Sequence, residues 1–213
     1  MGQTLSTTHW FNVQFPVVFN QRWQWLNEVS YRTLGESFSL NQLFIRNGVR
    51  YTINKRWNVA ASADLAFTRV APNKSEDHFG KESRLWEEVN YQIPFKKEFS
   101  LQNRLRIEER FFDATLRKDA YRAMRFRYRL NAVKEISDKW SVQVADEILE
   151  QLQDGSLHFN QNRVSVSGIY QFQATSQLQA TYYWAKLPAG SQHIFALVFQ
   201  KKIIVHHKKK ASA

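Results

Sequence analysis

The most constraining stretch of the chain runs from Phe99 to Val133, where charged and apolar residues alternate along two consecutive segments. In the first, Leu101, Leu105, Ile107 and Phe111 alternate with Gln102, Arg104, Arg106, Glu108 and Arg110. In the second, Met124, Phe126, Tyr128 and Leu130 alternate with Arg125, Arg127, Arg129 and Asn131. A period of two marks a β-strand, because successive side chains point to opposite faces. The pair reads as one long β-hairpin with its arginines on one face and its large apolar side chains on the other. Such a sheet has two stable settings. A water-soluble sheet buries the apolar face, whereas a membrane barrel turns that face to lipid and encloses the charges.

Composition narrows the choice. The mean hydropathy is −0.52, and no run approaches the roughly 18 consecutive apolar residues of a transmembrane helix. A helical membrane protein is therefore excluded, while a barrel, whose alternate residues are polar, is not. The seven Trp, eight Tyr and sixteen Phe exceed what a soluble domain needs and suit the aromatic girdles of outer-membrane barrels. The lack of cysteine fits a bacterial envelope as well as a cytosol. A net charge of +11 raises nucleic acid as a partner. The arginines, however, sit at strand spacing, and the one basic run is the tail His206-His-Lys-Lys-Lys210, so no nucleic acid is expected. The opening Met-Gly-Gln-Thr-Leu-Ser-Thr-Thr lacks the apolar core of a signal peptide, as expected of a cytosolic chain or a mature one.

Eleven segments carry strand-like alternation: His9–Phe19, Arg22–Arg32, Leu40–Ile53, Trp57–Thr68, Glu82–Ile93, the two hairpin arms, Trp140–Leu149, Asn160–Phe172, Gln177–Leu187 and Gln192–Ile204. Connections are short after every odd segment and mostly longer after every even one, the turn-and-loop asymmetry of outer-membrane barrels. Single-chain bacterial barrels have even strand numbers, so the expectation is about twelve strands, with ten as the alternative. The fold expected is all-β: one up-and-down antiparallel transmembrane β-barrel over residues 1–205, followed by a basic tail at 206–213.

That barrel would place Arg46, Arg50, Arg84, Glu88, Arg104, Arg106, Glu108, Arg110, Arg125, Arg127, Arg129, Glu147 and Arg163 on its lumen wall. Residues facing one another across antiparallel strands lie about 5 Å apart, so Arg–Glu pairs can form there. Such ladders either fill and stiffen a small lumen or leave a positive surplus that favours anions. Trp23, Tyr51, Trp57, Tyr91 and Trp140 fall near the short turns, where an interfacial girdle would sit. Trp86 falls inward, within reach of an arginine. Asn47, Asn103 and Glu109 fall on the nominal lipid side, and the two asparagines argue for a soluble barrel instead.

Four elements carry a family likeness: Glu82-x-Arg84-x-Trp86, Arg104-x-Arg106-x-Glu108-x-Arg110-Phe, Arg125-x-Arg127-Tyr-Arg129 and Asn160-Gln-Asn-Arg163. Upstream, Leu43-x-x-Arg46-x-Gly48-x-x-Tyr51 joins them. In their order and spacing the chain resembles an uncharacterised bacterial family of predicted outer-membrane barrels, the domain of unknown function numbered 2490. The resemblance implies a single barrel in the outer membrane and no particular activity. The chain departs from outer-membrane barrels at its end, where Phe199 is followed by Lys201-Lys-Ile-Ile-Val and the basic tail.

No catalytic residue, metal ligand set or cofactor is expected. Outer-membrane lipid hydrolases pair a His with a Ser or Asp, and His78, His158 and His193 have Ser75, Asp77, Asp154, Ser156 and Ser191 close in sequence. Such proximity is ordinary in polar loops, and neither Gly-x-Ser-x-Gly nor His-Glu-x-x-His occurs. The expectation is a bacterial outer-membrane barrel in contact with the lipid bilayer, acting as a narrow anion-preferring pore or as a structural barrel. The alternatives are a soluble or periplasmic barrel that binds an anionic lipid-like ligand, and a lipid-modifying enzyme with its site at the rim. Oligomeric state is left open.

Overall fold

The computed structural model describes residues 6–33, 35, 37–70, 78–96, 98–115 and 118–205. Among them every regular element is a strand: β1 (Ser6–Gln14), β2 (Val17–Val18), β3 (Trp23–Thr33), β4 (Leu40–Thr52), β5 (Trp57–Arg69), β6 (Phe79–Lys96), β7 (Phe99–Phe112), β8 (Tyr121–Glu135), β9 (Trp140–Gln153), β10 (Ser156–Gln173), β11 (Ser176–Leu187), β12 (Gly190–Lys201) and β13 (Ile203–Ile204). From β3 to β12 each strand pairs antiparallel with the next, and β1 closes the sheet by pairing with both β3 and β12.

β1 and β2 form one stave interrupted at Pro16, which has no N–H for the ladder; β12 and β13 form another, interrupted at Lys202. Across the breaks, Ile203 N–H donates to Pro16 O at 2.9 Å and Val205 N–H to Val18 O at 3.0 Å. The barrel thus has eleven staves, not twelve or ten. The expectation of an even number assumed an antiparallel seam. With an odd number the first and last staves run the same way, and β1 and β12 pair in parallel from Ser6↔Gln192 to Gln14↔Gln200.

Three of the short turns share one chemistry. The side chains of Asn20 and Asn54 accept hydrogen bonds from the backbone N–H groups two and three residues on, and Ser137 does the same with its hydroxyl oxygen. These self-closing turns each deliver a tryptophan to the start of the next strand: Trp23, Trp57 and Trp140. At the opposite end the segment 150–159, read as a loop from sequence, is strand up to a two-residue turn. Asp154 and Gly155 both take positive φ, 51° and 77°, the geometry of a type I′ hairpin. β10 pairs with β11 only from Asn162 onward, so residues 156–161 project beyond their neighbour with β9 alone.

The wall has inverted polarity. Buried apolar side chains are mostly alanine, with Trp86, Phe44, Leu149, Ile169 and Ile194 the larger exceptions, whereas Asp64, Glu82, Glu88, Glu108, Arg106, Arg125 and Glu147 are buried among them. The large apolar residues stand outside, as Leu105 (60% exposed) and its neighbours Val89, Ile107 and Tyr128 illustrate. The outer face is not wholly apolar. Asn47 lies opposite Asn27, which donates to Phe15 O at 3.2 Å. Asn103 accepts from the Tyr128 hydroxyl at 2.8 Å, and Glu109 pairs with Arg122 at 3.1 Å. Glu87, Asp146 and Glu150 also fall on that face by strand parity, between Leu85 and Val89 in β6 and beside Ile148 in β9; the sequence reading passed over all three.

Candidate functional site in the lumen

The inner wall is organised by cross-strand arginine pairs. Arg84 faces Arg110 across β6 and β7, Arg106 faces Arg127 across β7 and β8, and Arg104 faces Arg129 one rung away. Like charges directly opposite one another repel, so each rung needs an anion between its members.

The first two rungs have one. Glu82 accepts from Arg110 Nε at 2.7 Å and from Arg84 Nη2 at 2.8 Å. Glu108, whose side chain has no solvent exposure, accepts from Arg127 Nη1 at 2.7 Å and Arg125 Nε at 2.8 Å, with Arg106 at 3.6 Å and Arg84 at 3.8 Å. Arg127 also reaches Glu147 at 2.7 Å, and Arg106 Nε donates to Glu88 at 2.9 Å. In the third rung Arg104 turns to Glu147 across the intervening strand, while Arg129 makes no hydrogen bond or ion pair among the described residues.

A second cluster joins the ladder through Trp86. Its indole N–H donates to Asp64 at 2.7 Å, and the Arg106 guanidinium lies 3.9 Å above its ring. Arg46 bridges Asp64 and Glu28, at 3.3 Å each. The indole is 3% exposed, so its N–H needs this acceptor. Farther along, Arg32 packs 4.2 Å over Trp10, and Arg163 approaches the same ring at 5.4 Å.

The ten arginines and three glutamates named from sequence therefore lie together on the inner wall, and all of these arginines except Arg129 are shared among Glu28, Asp64, Glu82, Glu88, Glu108 and Glu147 as acceptors. Asp64 was not singled out from sequence, although Trp57, Val59, Leu65 and Phe67 on the outer face of β5 place it inside by parity. Arginines outnumber acids within the lumen. The charge is also one-sided: β3 to β10 carry it, whereas β11, β12 and β1 present Thr181, Tyr183, Ile194, Ala196 and Asn12.

Two cavities follow the lumen. One of about 390 Å³ opens toward the short turns, lined by Gln24, Arg50, Gln92, Gln102, Arg104 and Arg129 among others. Another of about 360 Å³ lies toward the opposite end, between Trp10, Arg32, Arg84, Arg110, Arg125 and Arg163. Arg46, Arg104, Arg106 and Arg129 line both and form the layer between them.

On the outer wall the aromatic positions come together in pairs at the short-turn end. Trp23 packs on Tyr51 with ring centroids 4.8 Å apart, Trp57 on Tyr91 at 4.3 Å, and Trp140 on Tyr170 at 4.7 Å. Tyr170 was not singled out from sequence; its signal is its pairing with Trp140 across β9 and β10. Among the described residues, the hydrogen-bond contact of His193 is to a tyrosine, not a serine. The Tyr182 hydroxyl lies 2.6 Å from His193 Nδ1, while Ser191, two residues back on the same strand face, is buried. His158 stands exposed on the projecting hairpin. Ser75, Asp77, His206 and His207 lie outside the described residues, as does the basic tail.

Among known families, the model described as "Protein of unknown function (DUF2490)" matches residues 7–192, most of the barrel. No curated protein matches the chain.

Proposed function

The chain belongs to the DUF2490 family of proteins of unknown function, and from that premise we propose that it is a bacterial outer-membrane barrel with a narrow, anion-preferring lumen. The observation that carries the membrane part is the inverted polarity of the wall: arginines and carboxylates inside, Leu, Ile, Val and aromatic side chains outside. A soluble barrel would leave that outer face in water, far beyond the few hundred Å² of apolar patch usual on a monomer. Strands of 11 to 18 residues from β3 to β12 exceed the roughly 9–11 needed to cross the hydrocarbon core at a tilt. The Trp–Tyr pairs supply one interfacial girdle. Outer-face acids such as Glu87 weaken this reading less than lysines would, because carboxylates on the lipid face cost less than Lys or Arg.

The preference for anions rests on the guanidinium surplus, since fixed charge lining a narrow passage attracts counter-ions of opposite sign. A second reading, a structural barrel closed by its own side chains, is favoured by one observation: Arg46, Arg104, Arg106 and Arg129 line both cavities and stand between them. Planar-bilayer recording in a salt gradient separates the two. Discrete conductance steps with an anion-selective reversal potential, shifted by Arg106→Ala and Arg127→Ala, support the pore. Stable insertion without conductance leaves the structural barrel.

A further inference from the structure

The three arginine rungs are built alike but are not completed alike. Glu82 lies between Arg84 and Arg110, and Glu108 reaches both Arg106 and Arg127. At the third rung Glu147 is drawn to Arg104 and Arg127, leaving Arg129 beside a second guanidinium without an acceptor of its own. Two neighbours along the same cavity are incompletely satisfied: the buried Nε atoms of Arg50 and Arg104 have no hydrogen-bond partner among the described residues, Glu88 standing 3.7 Å from Arg50 Nη2 and 3.9 Å from Arg104 Nε. All three arginines face the 390 Å³ cavity at the short-turn end, a volume within the range of small-molecule sites, roughly 300–1,000 Å³.

We propose that this cavity binds a small water-soluble oxyanion, a carboxylate or phosphate group, seated on Arg129 with Arg104 and Arg50 flanking it. The ligand supplies to the third rung what Glu82 and Glu108 supply to the other two. Planar guanidinium groups match such oxyanions through paired N–H donors. The rest of the cavity favours a polar solute: Gln24 and Gln92 line it and make no side-chain hydrogen bond among the described residues, and the Gln102 amide N–H₂ is likewise unused. Glu147 faces Arg129 across β8 and β9 but makes no ion pair with it, and the arginines lining the cavity (Arg46, Arg50, Arg104, Arg106 and Arg129) outnumber its carboxylates, Glu28 and Glu88. The inference rests on the anion-preferring lumen and adds a saturable site to it.

Calorimetric titration of the detergent-solubilised, folded full chain with inorganic phosphate tests the site without requiring conductance. The expected result is saturable binding, weakened at least ten-fold by Arg129→Gln and less by Arg129→Lys, which keeps the charge but loses the fork. Arg122→Gln, on the outer wall, leaves binding unchanged. Removing Arg129 relieves repulsion with Arg104, so the variant is expected to fold, and heat-modifiable gel mobility checks this. Absence of saturable binding in the folded wild type overturns the proposal, as does binding that Arg129→Gln leaves intact. Anion conductance without saturable binding refutes the site and keeps the pore; binding without conductance does the reverse.

Discussion

Replacing Glu108 by glutamine probes the lumen network at its most connected point. The carboxylate is fully buried and accepts from Arg125 and Arg127 at 2.8 and 2.7 Å, with Arg106 and Arg84 within 4 Å. Glutamine keeps the shape and one acceptor oxygen but removes the charge that four guanidinium groups share. Breaking a buried ion pair by neutralising one partner costs about 3–5 kcal/mol, because the other charge stays buried and uncompensated. Glu108 accepts three charge-assisted hydrogen bonds, two from Arg125 and one from Arg127. Losing two of them at roughly 1.5–3 kcal/mol each leads to about the same range. Since the amide oxygen keeps one bond, the expected loss is near the lower end, about 3 kcal/mol. Urea unfolding in detergent micelles or short-chain lipid vesicles measures it. Adding Arg125→Leu removes one stranded cation, so the double variant should recover part of the loss, and the coupling should exceed that of distant sites, about 0.5 kcal/mol. A loss below about 1 kcal/mol, the value of an exposed pair, would refute the reasoning by showing that water in the lumen screens the network.

Two further outcomes follow from the wall. A β-carbon at Gly48 would lie 2.5 Å from Ala61 O and from Ser62 Cβ. Gly48→Ala should therefore cost about 1–3 kcal/mol through overpacking, read as a lowered urea midpoint; an unchanged midpoint would mean that β4 and β5 separate freely. Glu87→Leu should raise stability in lipid vesicles by about 1 kcal/mol if that position meets hydrocarbon. Aggregation of an otherwise unchanged protein in the absence of detergent would place Glu87 in water instead.

Much of this was legible in sequence because a strand's period of two is insensitive to small errors in its ends. The arginine hairpin shows the point: the two segments read as its arms do pair with each other, the register running from Phe99↔Lys134 to Phe112↔Tyr121. What failed depended on information outside the alternation. The seam is a long-range pairing that no local pattern announces, so eleven correctly counted segments were forced toward an even number. Asp154-Gly155 is a strong hairpin signal, but polar residues around it made the segment look like a loop. Asp64, Glu87 and Asp146 were passed over where neighbouring residues alternated cleanly. The unequal completion of the rungs was not readable either. Which carboxylate serves which arginine depends on side chains reaching over an intervening strand, as Arg104 does to Glu147.

The chain contains no cysteine, so single cysteines can report which face of the wall meets water. We would place them at Leu105 and Ile107 on the outer face of β7, and at Gln24 and Gln92 beside the short-turn cavity. Each variant would be reconstituted into lipid vesicles and treated with a small, charged, membrane-impermeant maleimide on both sides of the bilayer. The account predicts rapid labelling of the Gln24 and Gln92 positions and none at Leu105 and Ile107 until detergent or denaturant exposes them. Rapid labelling at Leu105 and Ile107 in intact vesicles would contradict it, because the apolar wall would then be facing water.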